Sequence, residues 1–287
     1  IEVPKIPEIL LDNTDRNRTS PFAFTGNKFE LRAVGSSANC AAPMIALNAA
    51  VAQALRTFLV LVESLQSSGV PRKEAILEVV RQFVHESVRI RFEGNCYSQE
   101  WVDEAKRRGL SNYTSSVEAF KAFISTPTLG LFDELGILSE REMKARYEIR
   151  LENYIRKVQI EARVMGDLAT NHIIPIAIRY QNLLIENVRG LQAVLDQKTY
   201  VKLSKVQLQS IREISEHIME IRVNVAAMVE ARRKANRLTD AEEQAKVYDR
   251  EVRSYFDRIR YHADKLELLV DDELWPLPKY RELLFTR

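Results

Sequence analysis

The sequence predicts a mainly α protein: a short strand segment near the front, an insert of short helices, then a bundle of long antiparallel helices. Three observations predict it. Glycine and proline number nine each among 287 residues, about 3% apiece against usual shares of about 7% and 5%, so turns are scarce. Apolar residues make up 46% and charged residues 29%, enough to bury a sizeable core and too apolar for a disordered chain. Beyond Ser139, apolar side chains recur at steps of three and four along three long stretches, the spacing that gathers one stripe on a helix.

Each element follows from local chemistry. Ile1 to Pro7 is a proline-spaced, extended stretch that reads neither as a signal peptide nor as the start of a domain, so a piece of a longer protein is expected. Lys28 to Arg32 alternates as a strand does. Pro43 fits the first turn of a helix running through Ile45 to Leu65 and stopping before Gly69. Pro71 opens a second, expected over Arg72 to Phe92 and ended by Gly94. Ser98 caps a short helix through Trp101 to Arg108, and Ser115 or Ser116 caps another that closes before Pro127.

The long helices come next. Ser139 and Glu142 have capping-box spacing, and the helix that follows carries Tyr147, Leu151, Tyr154, Val158, Ala162, Met165 and Leu168 on one face. Pro175 should bend it near Asn171, because proline cannot donate to the carbonyl four residues back, and the helix then resumes to Gly190. A second seam runs from Ile211 to Met228 and a third from Tyr248 to Leu269. Thr239 and Glu242 repeat the capping box and mark the reversal between them. Trp275-Pro-Leu-Pro278 ends the last helix, and Tyr280 to Phe285 is expected to dock back. The expected divisions are 1–67, 68–138 and 139–287.

Composition also narrows the function. Forty-two Lys and Arg against forty Asp and Glu leave a net charge of +2, too balanced for a nucleic-acid binder that relies on a basic surface. Two cysteines, Cys40 and Cys96, are too few for a disulfide scaffold. No apolar run reaches about 18 residues, so neither secretion nor membrane spanning is indicated and a reducing cytoplasm is expected.

The segment Asp15 to Met44 differs from all that follows. It gathers Arg16, Arg18, Lys28, Glu30 and Arg32, and on a strand Lys28, Glu30 and Arg32 project from one face, a carboxylate between two cations. One reading is a surface ladder of ion pairs. The other is a site for phosphate and metal, since a hard divalent cation takes carboxylate oxygen while arginine forks suit phosphate and carboxylate oxygens.

These residues resemble a family. Asn17-Arg18-Thr19-Ser20, Lys28-Phe29-Glu30-Leu31-Arg32 and Ser37-Ala38-Asn39 are similar, in order, to the Asn-Arg-Ser, Glu-x-Arg and Ala-Asn-Pro elements at the end of the glutamine synthetase catalytic domain. Pro21 to Gly35 and Ser36 to Pro43 resemble the large type III enzymes in particular. Ile90 to Trp101, Arg163 to Leu168, Asn171 to Pro175 and Tyr180 to Asn182 agree, so the resemblance covers essentially the whole chain.

The resemblance implies that residues 1–67 end a catalytic domain and that the rest is its appended helical domain. It matches Glu30 to the ligand of the divalent cation, Mg²⁺ or Mn²⁺, that bridges the phosphates of ATP. Arg32 matches the arginine that holds the substrate glutamate, and Arg18 the one that stabilises the transferring phosphoryl group. ATP would phosphorylate the γ-carboxylate and ammonia displace phosphate, in a large homo-oligomeric ring. Two departures stand out: bacterial type I enzymes carry a second arginine where this chain has Ala23, and Asn39 is followed by Cys40 rather than proline. The other metal ligands, the ammonium site and the adenine pocket belong to earlier parts of the family's sequence, so the chain by itself is expected to bind no cofactor and to make no glutamine.

Other candidates have plainer readings. His85, His172, His217 and His262 show no ligand spacing within one helix and read as packed histidines. Asn171, Gln181, Asn182 and Asn187 read as helix–helix hydrogen bonders around the bend. Cys40 and Cys96 read as small packed groups, with Cys96 near a loop tip. Glu230 to Arg237 is a basic run at a helix C-terminus, where it complements the helix dipole. A rival reading without chemistry, a helical oligomerisation or interaction module, accounts for the seams and the neutral charge equally well.

Overall fold

A computed structural model describes residues 20–24, 28–32 and 38–284; Arg16, Arg18 and Phe285 lie outside them. Strands β1 (Phe22–Phe24) and β2 (Phe29–Leu31) pair antiparallel, with Phe22 opposite Leu31 and Phe24 opposite Phe29. Among the described residues every element after them is a helix, as the composition predicts. The chain divides into two compact units, Ile1–Thr114 with Ser125–Glu140, and Ser115–Ile124 with Arg141–Arg287.

In the first unit, α1 (Ala41–Ser67) contains Pro43 in its first turn, and Asn39 Oδ1 accepts from the Ala41 N–H at 2.8 Å. Gly69, at φ 89°, turns the chain out of the helix in a conformation that a side chain would strain. Helix α2 (Arg72–Glu86) follows Pro71 and stops short of the expected Phe92, giving way to a 3₁₀ turn at Ser87–Ile90. There the Ser87 hydroxyl bonds the Val84 carbonyl at 2.9 Å, a local side-chain bond that competes with continuing the helix. Ser98 caps α3 (Gln99–Arg107), accepting from the Trp101 N–H, and α5 (Thr126–Glu134) carries Pro127 in its first turn. The core of α1 and α2 is small: Val62, Ala75 and Val79 are buried, with Phe58 meeting Phe83 edge to face at 5.7 Å.

The second unit opens with α4 (Ser116–Phe120), capped by Ser115. Its main body is α6 (Glu140–Asp167), α7 (Ile174–Val194), α8 (Gln197–Leu203), α9 (Lys205–Ala235), α10 (Ala241–Val247) and α11 (Ser254–Leu269). Each seam supplies the core: Tyr147, Leu151 and Val158 from α6, Ile214, Ile221 and Met228 from α9, Ile259 and Leu266 from α11. Where Pro175 predicts a bend, Leu168–Ile173 widens into a π-turn and α7 restarts with Pro175 in its first turn, which removes the need for the proline's missing donor. A second π-turn, Tyr248–Val252, joins α10 to α11.

Several expectations are corrected. Asp240, not Thr239, caps α10, its carboxylate accepting from the Glu243 N–H at 2.8 Å. In the tail helix α12 (Tyr280–Leu283), Leu283 and Leu284 are exposed, while Trp275 before it is buried and the Lys279 ammonium reaches the Glu267 carbonyl at 3.0 Å; the expected docking of Tyr280 and Phe285 lies outside the described side chains. Cys40 is exposed instead of packed. Helix α1 also contains an 18-residue window of mean hydropathy 1.8, long and apolar enough to cross a membrane by length and composition; Asn48, Gln53 and Arg56 interrupt the run of letters without lowering the average much.

Candidate functional site

The hairpin is amphipathic. Phe22 and Phe29 stack at 5.2 Å on one face, with Leu31 on that side, while Lys28, Glu30 and Arg32 occupy the other. Glu30 accepts from Arg32 at 3.0 Å and pairs with Lys28 at 3.2 Å. The Arg32 bond first, then that to Lys28, holds the Glu30 carboxyl below its usual range, so it is ionised at neutral pH. The Arg32 N–H extends the hairpin by donating to the Pro21 carbonyl at 2.7 Å.

Two of the three sequence-derived site residues are thus neighbours on one strand face, joined as the ion-pair ladder that the alternation allows. Arg18 lies outside the described residues. Among the described residues no group of three His, Cys, Asp or Glu side chains converges as a metal site. Both Glu30 oxygens are engaged, Oε1 with Lys28 and Oε2 with Arg32; a carboxylate is the donor that Mg²⁺ or Mn²⁺ takes, and an ion held there would draw its remaining ligands from other polypeptide.

The bundle holds polar pairs that sequence spacing does not reveal. His217 and His262 approach to 2.9 Å between their Nδ1 atoms, with ring centroids 5.2 Å apart. The nitrogens therefore face each other end on, the geometry of a shared proton rather than of two lone pairs converging on an ion. Burial first, then the neighbouring His262, lowers the His217 pKa. Tyr147 donates to Glu242 at 2.9 Å, and Tyr154 donates to Asp249; burial and these carboxylates push both phenols up to about 12. Glu242, bonded by Lys246, Lys121 and Tyr147, falls to about 2. Gln181 donates to the Ile211 carbonyl at 2.7 Å and to Ser215 at 2.6 Å, tying α7 to α9. These contacts join residues 30 to 95 positions apart, beyond the reach of any local pattern, and they hold helices together.

Fold and hairpin together define a class: a helical module joined at its front to a strand-borne polar site. Comparison with known proteins gives the family. Residues 75–192 match the model of the glutamine synthetase C-terminal domain. The chain is 49% identical over 285 residues to a glutamine synthetase of Bacteroides fragilis, covering 99% of this chain and 39% of that protein. It is 35% identical over 285 residues to a type-3 glutamine synthetase of Dictyostelium discoideum, covering 98% of this chain and 38% of the relative. A glutamine synthetase of Butyrivibrio fibrisolvens is 31% identical over 275 residues, 96% of this chain and 38% of its own length. The chain is a C-terminal portion of the glutamine synthetase family, of the type III kind, and it spans well under half the length of the relatives it matches.

Proposed function

We propose that this chain serves in a type III glutamine synthetase that joins ammonia to the γ-carboxylate of glutamate, using ATP to form a γ-glutamyl phosphate. The observation that carries this reading is the similarity to three synthetases over 96% or more of the chain. The Glu30-x-Arg32 face supports it.

In this reading residues 1–67 close the catalytic domain. Glu30 would hold a divalent ion on the nucleotide, where such an ion supplies neutralisation of phosphate charge. Arg32 orients the substrate's carboxylate through its planar fork. Arg18 stabilises charge on the transferring phosphoryl group, the role for which a fixed guanidinium is suited because it needs no reorganisation as charge develops. Lys28 and Arg32 keep Glu30 ionised in the meantime. The assembly would be a cytoplasmic homo-oligomer, with the helical unit appended to it.

The test is made in the full-length enzyme carrying this sequence. Glu30→Ala should abolish glutamine synthesis while leaving the melting temperature nearly unchanged, and Arg18→Ala should cost about 10³-fold in turnover. The closure of Glu30 into ion pairs favours a second reading, a helical interaction module with no part in the chemistry; undiminished turnover in Glu30→Ala would establish it.

A further inference from the structure

Helices α9 and α11 enclose a groove of about 420 Å³ between them, lined from α9 by Glu220 and Asn224 and from α11 by Asp257, Arg258, Tyr261 and His262. The spacing explains which residues meet there. Glu220 and Asn224 are four positions apart on α9, as Asp257 is from Tyr261 and Arg258 from His262 on α11, so each set edges the same seam. The Tyr261 and His262 rings stand at 85° with centroids 5.1 Å apart and make an aromatic corner.

Asn224 is more than nine-tenths buried, at 9% exposure, and its Nδ2 donates to the Glu220 carbonyl at 2.8 Å with the Glu220 carboxylate at 3.4 Å. Two acceptors at that end of the amide identify it as the nitrogen, so the other end is the oxygen. Among the described residues Oδ1 accepts from no protein donor. An oxygen on a side chain so far buried is ordinarily satisfied, and this one is left for a donor that enters the groove.

The charged groups are uncommitted too. Elsewhere in the bundle carboxylates meet cations, Glu242 with Lys121 and Lys246, Glu251 with Lys234. Here, among the described residues, Arg258 pairs with neither Glu220 nor Asp257 and lies instead over the Tyr255 ring, 5.6 Å from its centroid. Lys265 brings a second cation, 5.4 Å from the Tyr261 centroid. Two acids and two bases favour neither a simple amine nor a simple acid. Opposite charges held apart around one space suit a molecule that carries both an ammonium, for carboxylate and amide oxygens, and a carboxylate, for a guanidinium fork.

We propose that the groove between α9 and α11 binds a free α-amino acid. Its ammonium is held by Asn224 Oδ1 and the Glu220 carboxylate, its carboxylate by Arg258, and its side chain lies against the Tyr261–His262 corner. The site belongs to the second unit and the hairpin to the first, and it needs neither nucleotide nor divalent ion, so it stands independently of the proposed function.

The test titrates L-alanine into the 287-residue chain labelled at histidine and tyrosine, read by nuclear magnetic resonance. The His262 and Tyr261 ring signals should shift with millimolar affinity, and methylamine and acetate, each carrying one end of the ligand, should bind at least about tenfold more weakly. Glu220→Gln and Arg258→Gln should each weaken L-alanine at least about tenfold while leaving the melting temperature nearly unchanged; Asn224→Leu, of similar volume, should do the same to binding. Arg32→Ala should bind as the unaltered chain does. In the full-length enzyme L-alanine should slow hydrogen–deuterium exchange over residues 257–262. Unmoved His262 and Tyr261 signals, methylamine binding as tightly as L-alanine, undiminished binding in Glu220→Gln and Arg258→Gln, loss of binding in Arg32→Ala, or unaltered exchange in the full-length enzyme would each overturn the assignment.

Discussion

Helices α1 and α9 are similar in length and in apolar spacing, yet they bury their faces differently. Over 31 residues α9 buries Ile214, Ile221, Met228 and Ala235, each no more than 1% exposed. Over 27 residues α1 buries Ala49 and Val62 alone. The bundle closes its core within its own unit: α6, α9 and α11 each supply a seam, and phenol–carboxylate bonds link residues about a hundred positions apart. In the first unit the same kind of seam is exposed at Met44, Val51 and Leu55 among the described residues. Amphipathic periodicity states that a face needs covering; it does not state whether the cover belongs to the same unit.

That contrast can be broken or sharpened by measurement on the 287-residue chain. The largest effect is expected at the centre of the bundle, where Ile221→Ala removes a fully buried side chain and should destabilise by about 2–5 kcal/mol in chemical denaturation. A loss under about 1 kcal/mol would mean that the bundle core is loosely packed and the contrast is overstated. Tyr248→Phe, at a side chain wholly buried whose hydroxyl donates to Asn236 at 2.6 Å, should cost about 0.5–1.5 kcal/mol, the worth of one hydrogen bond, because Asn236 is exposed and can turn to water. In the first unit Ser98→Ala removes the cap of α3 and should cost about 1 kcal/mol, read most clearly as faster amide exchange at Trp101.

Protonation offers a subtler comparison. The folded-state pKa of Glu242 is depressed to about 2 from an ordinary 4.5, first by Lys246, then by Lys121 and Tyr147. Its contribution is therefore fully present above about pH 4.5 and is lost as pH falls toward 2. The melting temperature should decline over that window, and Glu242→Gln should flatten part of the decline; an unchanged slope would show that the cluster does not couple to stability. The smallest effect is expected at Leu55→Ala, within about 0.5 kcal/mol in this chain, since Leu55 is 63% exposed. A loss comparable with that of Ile221→Ala would show the seam of α1 already covered.

Much of the fold was legible from residue order. Pro43, Gly69, Pro71, Ser98 and Gly109 punctuate helices where their chemistry requires it, and Pro175 marks the place where the long helix changes its winding. The end of α2 was not legible, because the choice between one more helical turn and a 3₁₀ turn depends on a Ser87 hydroxyl bond of small energy. Nor was the cap at Asp240, where two adjacent residues can both accept from a backbone N–H and the direction of chain entry selects one.

By itself the sequence determined the helical class, the three seams of the bundle and the grouping of Lys28, Glu30 and Arg32 on one strand face. These follow from periods of 3.6 and 2 and from the shapes of proline, glycine and serine, all of which act over a few residues. Only the tertiary structure decided that His217 meets His262, that Tyr147 and Tyr154 find carboxylates, and that among the described residues Met44, Val51 and Leu55 of α1 are exposed. Contacts of that kind are set by how whole helices lie against one another, and a helix face carries no record of which distant surface will meet it.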